Sequence, residues 1–261
     1  MEKLTLLEYP VAPEVRAFST TRKGGVSEGN YAEFNVTHYC GDDPEKVASN
    51  RTLLCSELGI DDAHLILPRQ VHGTKVCIVN ADFFALPQEA RTVALDGADA
   101  VITDLRSVCI GVSTADCVPI LLYDPEKGVA AAIHAGWRGT VAKIIDRTVA
   151  VLRETYGCIP ERMTAVFGPC ISVDAFEVGE EVVDAFREAG FDLDAISRRY
   201  PTGRCHIDLL AANYQLLEDC GFGIDKVQVA GICTYGTSDS FFSARKLGIE
   251  SGRIYTGIMI K

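Results

Sequence analysis

Two histidines and one cysteine stand where a polypeptide could assemble a reactive centre. His72 lies in Arg69-Gln70-Val71-His72-Gly73, and His134 in Ile133-His134-Ala135-Gly136-Trp137-Arg138-Gly139. Both follow strand-like runs and precede glycines, so each should sit where a strand ends in a turn. Cys117 follows Ser113-Thr114-Ala115-Asp116 and opens the strand before the one that ends at His134. Asp124-Pro125-Glu126-Lys127-Gly128 reads as a hairpin turn between those two strands. If Pro125 and Glu126 centre that turn, facing residues sum to about 251, and Cys117 and His134 sum to 251. They would then face each other at one open end of a sheet, with His72 joining from a separate loop. Neutral imidazole and thiolate are good zinc donors, and three protein ligands with a fourth position open is the pattern of a catalytic zinc. The donors are non-local, so no spacing rule supports them. A strand-end histidine is more commonly a hydrogen-bonded structural residue, and residue types alone leave the triad open.

Arginines accompany these positions: Arg69 before His72, Arg138 after His134, and Arg245 after Phe241-Phe242-Ser243-Ala244. A guanidinium fork can grip phosphate or carboxylate, and a solvated surface arginine is the plain alternative. Asp116 could orient an imidazole or cap a turn. Trp137 and Phe242 could stack on a flat substrate ring, although paired phenylalanines more often belong to a core. Gly136 and Gly139 permit close backbone approach but complete neither a dinucleotide fingerprint nor a phosphate loop.

These residues need a scaffold, and its elements are legible. Asp43 and Pro44 open a helix with an apolar side at Val47, Leu54 and Leu58, closed by Gly59. Leu65–Leu67 and Val76–Val79 read as short strands around the His72 loop. Ala100–Thr103, Val108–Val112, Val118–Tyr123 and Val129–His134 read as nearly all-apolar strands, covered on both faces. Val141, Ile144, Ile145, Val149 and Leu152 predict a helix ended by Gly157. Further helices are predicted around Val182–Phe186 and Leu210–Leu217, and late strands at Val227–Ala230 and Ile254–Ile260. Alternating elements without linker or repeat favour one α/β or α+β domain over residues 1–261.

Composition narrows the function. The formal charge is 25 − 36 = −11, which argues against a general nucleic-acid binder; an anionic substrate would need local arginines. Met1–Pro10 lacks a leader pattern, and no apolar run approaches the ~18 residues of a membrane span, so a cytoplasmic protein without membrane partners is expected. The ten cysteines include no C-x-x-C pair and read mostly as buried, reduced thiols.

The motifs together resemble a known family. Arg69-Gln70-Val71-His72-Gly73, Asp99-Ala100-Val101-Ile102-Thr103, Thr114-Ala115-Asp116-Cys117-Val118-Pro119 and His134-Ala135-Gly136-Trp137-Arg138-Gly139 resemble, in order, signatures of the YfiH-like family. It is also called the multicopper polyphenol oxidase or laccase-domain family, and its members are now read as purine nucleoside phosphorylases. Phe18-Ser19-Thr20, Gly41-Asp42-Asp43-Pro44, Gly168-Pro169-Cys170-Ile171, His206-Ile207-Asp208-Leu209 and Phe241-Phe242-Ser243 extend the resemblance over nearly the whole chain. It implies a single domain of mixed sheets flanked by helices, similar to the catalytic domain of cytotoxic necrotising factor toxins. It also implies zinc on His72, Cys117 and His134, with phosphorolysis of adenosine, inosine, guanosine and methylthioadenosine, and adenosine deamination as a second activity. Many members read F-F-S-Y-R-R-D where this chain has Phe241-Phe242-Ser243-Ala244-Arg245-Lys246; the arginine survives as Arg245 but the aromatic and the acid do not, a departure that bears on substrate contact and not on the metal site.

Rival readings stay in view. A copper oxidase would need a trinuclear cluster built almost wholly from histidines, and the chain has five in all. A metal-free hydrolase would use Cys117 as nucleophile and His134 as base. A structural zinc would ordinarily have four protein ligands. Editing of peptidoglycan precursors, also linked to the family, is indistinguishable from nucleoside turnover at this level.

Overall fold

Long apolar strands need cover on both faces, and the chain supplies it by layering sheets against each other and helices against the sheets. The computed structural model describes residues 4–201 and 203–261; Met1–Lys3 of the stretch read for a leader lie outside the described residues. In chain order the elements are β1 (Leu6–Tyr9), β2 (Val15–Thr20), α1 (Pro44–Leu58), β3 (Leu65–Ile66), β4 (Lys75–Ile78), α2 (Ala81–Ala85), α3 (Gln88–Leu95), β5 (Ala98–Thr103), β6 (Cys109–Thr114), β7 (Val118–Asp124) and β8 (Val129–Ala135). There follow α4 (Trp137–Val141), α5 (Ile144–Tyr156), β9 (Thr164–Phe167), β10 (Glu177–Val178), α6 (Glu180–Glu188), α7 (Leu193–Ile196), β11 (Ser197–Arg199), β12 (Cys205–Ile207), α8 (Leu209–Asp219), β13 (Val227–Val229), α9 (Ala244–Leu247) and β14 (Ile254–Ile260).

One mixed sheet runs β1-β2-β14-β6-β3 and a second runs β13-β9-β7-β8-β5-β4, with a small sheet β10-β12-β11 beside them. Along β5, β7 and β8, alternate residues serve two cores. Ala100, Ile102, Ile120, Leu122, Ala131 and Ile133 pack with Ile145, Val149 and Leu152 of α5 and Leu216 of α8. Val101, Leu121, Tyr123, Ala130 and Ala132 pack with Val112, Ile110 and Ile258 of the first sheet. Helix α1 covers that sheet's other face through Leu54, Cys55 and Leu58 against Phe18 and Tyr255. The order is therefore helix, sheet, sheet, helices, in agreement with the expected α/β arrangement. The predicted cap and stop of α1 are present: Asp43 accepts the Glu45 N–H at 2.9 Å and Gly59 is left-handed at φ 71°.

Two local expectations are corrected. The β7–β8 hairpin pairs Val118 with Ala135 and Pro119 with His134, so facing residues sum to 253. The turn is recentred because Asp124 accepts the N–H groups of Glu126 and Lys127 at 2.9 and 3.0 Å, and Gly128 takes a left-handed φ of 63°. A shift of two residues preserves the face, so Cys117 and His134 are diagonal neighbours on the inter-sheet side. The helix predicted from Val141 is interrupted: Val141 ends α4, Lys143 is left-handed at φ 61°, and α5 begins at Ile144.

All ten cysteines are free thiols, six of them buried. Among the described residues no helix is long and apolar enough to cross a membrane.

Candidate metal centre

The site lies at one end of the space between the two large sheets. His134, on β8, shares its face with Ala130 and Ala132; Cys117, just before β7, shares its face with Leu121 and Tyr123. His72 reaches them from the loop between β3 and β4. The donor atoms of His72, Cys117 and His134 all lie within 4.8 Å of one another, and they are the one such group of three among the described residues. Cys117 Sγ is 3.7 Å from His72 Nε2, and the two imidazole rings meet edge to face at 4.7 Å between centroids. Tetrahedral coordination with metal–sulfur and metal–nitrogen bonds of about 2.3 and 2.0 Å sets donors roughly 3.3–3.7 Å apart, so small side-chain movements bring all three into range. His134 is buried, Cys117 half-buried and His72 exposed.

Asp99 is the residue on which the arrangement rests, although nothing in its local sequence marks it for a role. It is fully buried. Its Oδ1 meets His134 Nδ1 at 2.7 Å and accepts the backbone N–H of His72 at 2.9 Å; its Oδ2 accepts the N–H groups of Gly73 at 2.7 Å and Val71 at 3.2 Å. One carboxylate thus fixes the ring of one donor and the backbone of another, and it leaves His134 Nε2 for the site. Ala100 pairs with Ile133, and one further step sets Asp99 opposite His134; β5 and β8 are not consecutive strands, so no local signal marks the pairing. Burial alone would push the Asp99 carboxyl up, but His134 and the backbone donors outweigh it and hold it below the usual carboxylate range.

The His72 loop has a second anchor. Gln70 Nε2 donates to the Ser113 carbonyl at 2.8 Å, and Gln70 Oε1 accepts from Ser113 N at 2.7 Å and from the Tyr39 hydroxyl at 3.1 Å. Pinned to β6 through Gln70 and to β5 through Asp99, the loop holds His72 at a left-handed φ of 62°, a conformation that costs a residue with a side chain roughly 1–2 kcal/mol. Gly136 completes the fit from the other side. A Cβ there would stand 2.7 Å from His72 Cδ2 and 3.0 Å from Cys117 Sγ, so glycine lets the β8–α4 turn close on the donors.

The electrostatics favour a thiolate. Burial opposes ionisation of Cys117, but His134 and His72 outweigh it and bring the thiol down to about 6. Burial likewise disfavours a charged His134, and Cys117 and Asp99 reverse this, raising it to about 9. Without a metal the two groups therefore form an ion pair; a bound cation would take the place of the proton between them.

The other expected site residues are placed differently. Asp116, left-handed at φ 91°, accepts from Thr234 Oγ1 and from Arg245 N, both at 2.6 Å. It ties the turn before Cys117 to the C-terminal segment, and the imidazole partner is Asp99 instead. Phe242 is fully buried in a small core with Phe241, Ile254 and Ala115, with Arg22 over its ring at 4.8 Å, so it is not available to stack on a substrate. Arg69 is exposed and paired with Asp96 at 2.6 Å. Arg138 is exposed over Trp137 at 4.2 Å. Arg245 donates to the carbonyl oxygens of Ala175 at 3.4 Å and Glu177 at 3.0 Å. A cavity of about 240 Å³ opens onto the three donors; its wall includes Tyr39, Gln70, Thr114 and Arg253, and none of the three expected arginines lines it. Arg253 escaped the sequence reading because it precedes a buried strand, far along the chain from any donor motif.

The chain is similar to known proteins in both sequence and fold. The sequence signature of the family described as multi-copper polyphenol oxidoreductase laccase matches residues 16–261. A Bacteroides thetaiotaomicron protein named purine nucleoside phosphorylase is 48% identical over 244 residues, covering 93% of this chain and 90% of its own. A protein named adenosine deaminase RL5, from an unknown prokaryotic organism, is 43% identical over 263 residues, with both chains covered in full. The crystal structure of the Bacillus licheniformis hypothetical protein YfiH superposes with a TM-score of 0.86 at 26% identity, covering 97% of this chain and 99% of that one. The chain belongs to this laccase-like, YfiH-type family.

Proposed function

We propose that the chain is a zinc-dependent purine nucleoside phosphorylase with adenosine deaminase activity, working in the cytoplasm as a single catalytic domain. The observation that carries this reading is the convergence of His72, Cys117 and His134 on one open cavity, in a chain whose relatives bear those two names. Two imidazole nitrogens and a thiolate suit a borderline-soft divalent ion, and three protein donors leave a coordination position for chemistry. When bound there, zinc supplies Lewis acidity, toward the departing purine in phosphorolysis and toward water in deamination.

The residues of the chain do the rest. Asp99 holds His134 in the tautomer that presents Nε2 to the site. Cys117 enters as thiolate because the two histidines already favour its charge. Thr114 Oγ1 is buried in the cavity wall with no hydrogen-bond partner, and it is assigned to a polar atom of the nucleoside. Phosphate is assigned to Arg253, whose guanidinium is braced by the carbonyl oxygens of Ile249 at 2.9 Å and Ser251 at 2.6 Å; Arg138, which does not line the cavity, is kept as a weaker contributor. Cleaving the N-glycosidic bond builds positive charge on the sugar, which a phosphate held alongside would offset.

A second reading rests on the Cys117–His72 contact of 3.7 Å and the lowered thiol: a metal-free hydrolase with Cys117 as nucleophile. A multicopper oxidase does not fit, since the described residues contain one donor cluster of three and none from which a trinuclear centre could be built.

The deciding experiment incubates metal-analysed protein with inosine and with adenosine, with and without phosphate, and separates the products. About one zinc per chain is expected, with hypoxanthine appearing only when phosphate is present and inosine arising from adenosine without it. Chelators should abolish both reactions, and Cys117→Ala should lose most of its metal. Inosine cleavage that resists chelators and ignores phosphate would replace this reading with the thiol hydrolase, and full zinc occupancy in Cys117→Ala would overturn the ligand set.

A further inference from the structure

A second cavity, of about 360 Å³, lies between α1, the 62–64 turn, β3 and α3, and none of the three metal donors lines it. The two cavities divide neighbouring residues between them: His38 faces this one, while Tyr39, the next residue, lines the metal site. One part of its wall is apolar, from Leu65, Leu67 and Phe83, all buried. Another part is basic, from Arg51 and Arg91, with His38 beside them and Asp62 the one acid in the lining. In a chain of net charge −11, that concentration of guanidinium groups around a hollow is not what average composition would place there.

The two arginines are held differently. Arg51 Nε donates to Asp62 Oδ1 at 2.6 Å and its Nη2 to the Leu65 carbonyl at 3.0 Å, which locks the guanidinium at the cavity edge. Asp62 itself remains largely exposed, so water screens part of its charge. Arg91 lies over the Phe84 ring at 5.9 Å, and its Nε is buried with no hydrogen-bond partner. The residue as a whole is half-buried, but a buried N–H left unpaired is unfavourable unless an acceptor arrives. His38 is kept mainly uncharged, since burial and the neighbouring Arg51 both lower its pKa, so it offers a hydrogen bond more than a charge.

We propose that this cavity binds a small organic oxyanion, with its phosphate or carboxylate group held by Arg91 and Arg51 and its apolar body against Phe83 and Leu67. Guanidinium forks match both oxyanions, and the apolar wall distinguishes an organic anion from inorganic phosphate.

Isothermal titration calorimetry on the full chain, with phenyl phosphate, benzoate and inorganic phosphate as probes, tests the site. At least one organic probe should bind the wild-type protein more tightly than inorganic phosphate does, and the better of the two identifies the preferred head group. Its Kd should rise about tenfold in Arg91→Ala, as expected when a hydrogen bond to a charged group is lost. Thr92→Trp, which fills the cavity from an exposed position on α3, should weaken binding to a similar extent with Arg91 intact, and it decides the matter if Arg91→Ala fails to fold. No heat from either organic probe, or an unchanged Kd in the folded variants, would overturn the proposal and leave water or the metal site as the partner.

Discussion

Arg69 and His72 stand three residues apart in the same loop, yet their side chains belong to different worlds. His72, although exposed, is aimed at Cys117 and His134 by a left-handed backbone whose N–H is held by Asp99. Arg69 points to solvent and pairs with an equally exposed Asp96. The same division separates the metal corner from the surface arginines as a whole. In the corner, one buried carboxylate serves a histidine ring and three backbone donors. At the surface, Arg69, Arg138 and Arg245 are satisfied by a surface acid, a tryptophan face and backbone carbonyl oxygens. Charges buried in a shared network are preorganised for function, whereas charges at the surface are screened and replaceable. Proximity in sequence to a ligand therefore says little about proximity to its chemistry.

This contrast can be broken most severely at Asp99. Asp99→Ala should cost about 3–5 kcal/mol, because it leaves the buried His134 and three part-buried N–H groups unpaired; chemical denaturation should show it, along with loss of bound metal. Asp99→Asn keeps the shape but weakens the grip on His134, and metal affinity should fall about 10–100-fold with the fold retained. An Asp99→Asn protein with wild-type affinity would show that the corner does not depend on its carboxylate.

The next effect is kinetic. In metal-free protein the Cys117 thiol is lowered to about 6, so its alkylation by iodoacetamide should rise as pH passes through about 6 and level off above it. Cys220, pushed up to about 11 by burial, should stay unreactive through the neutral range. The sign is that of a thiol whose charged form is favoured: reactivity is lost as pH falls, not as it rises. Peptide mapping after alkylation at pH 5 and pH 7.5 distinguishes them, and equal labelling at both values would remove the ion-pair argument. Bound zinc should suppress the labelling.

The arginines carry a graded expectation. Arg253→Ala should raise the KM for phosphate far more than that for inosine, Arg138→Ala should do so to a smaller degree, and steady-state kinetics varying one substrate at a time measures both. A larger effect from Arg138 would move the anion site from Arg253 to Arg138. Arg69→Ala should be the mildest change, altering stability by less than about 0.5 kcal/mol in thermal unfolding, as for most exposed ion pairs.

Much of this molecule was legible as sequence because the relevant forces are local or periodic. The cap and stop of α1, the all-apolar strands β5 to β8, and the glycine-marked ends of β8 and the His72 loop follow from capping, two-sided burial and turn chemistry. The donor triad could be named because cysteine and histidine are scarce donors at strand ends, and motif resemblance raised it above the structural alternative. Tertiary structure decided what depends on pairing across the chain. The Asp124 turn moved the hairpin register by two residues, and a left-handed Lys143 cut the helix after Val141. Asp99, not the adjacent Asp116, took the imidazole because β5 lies beside β8. Arg253, more than a hundred residues from His134, reached the cavity wall while the arginines written beside the donors did not. Periodicity and capping act over a few residues and leave their mark in composition. Which strands pair, and which side chains then share a cavity, is set by long-range packing that no short window of sequence records.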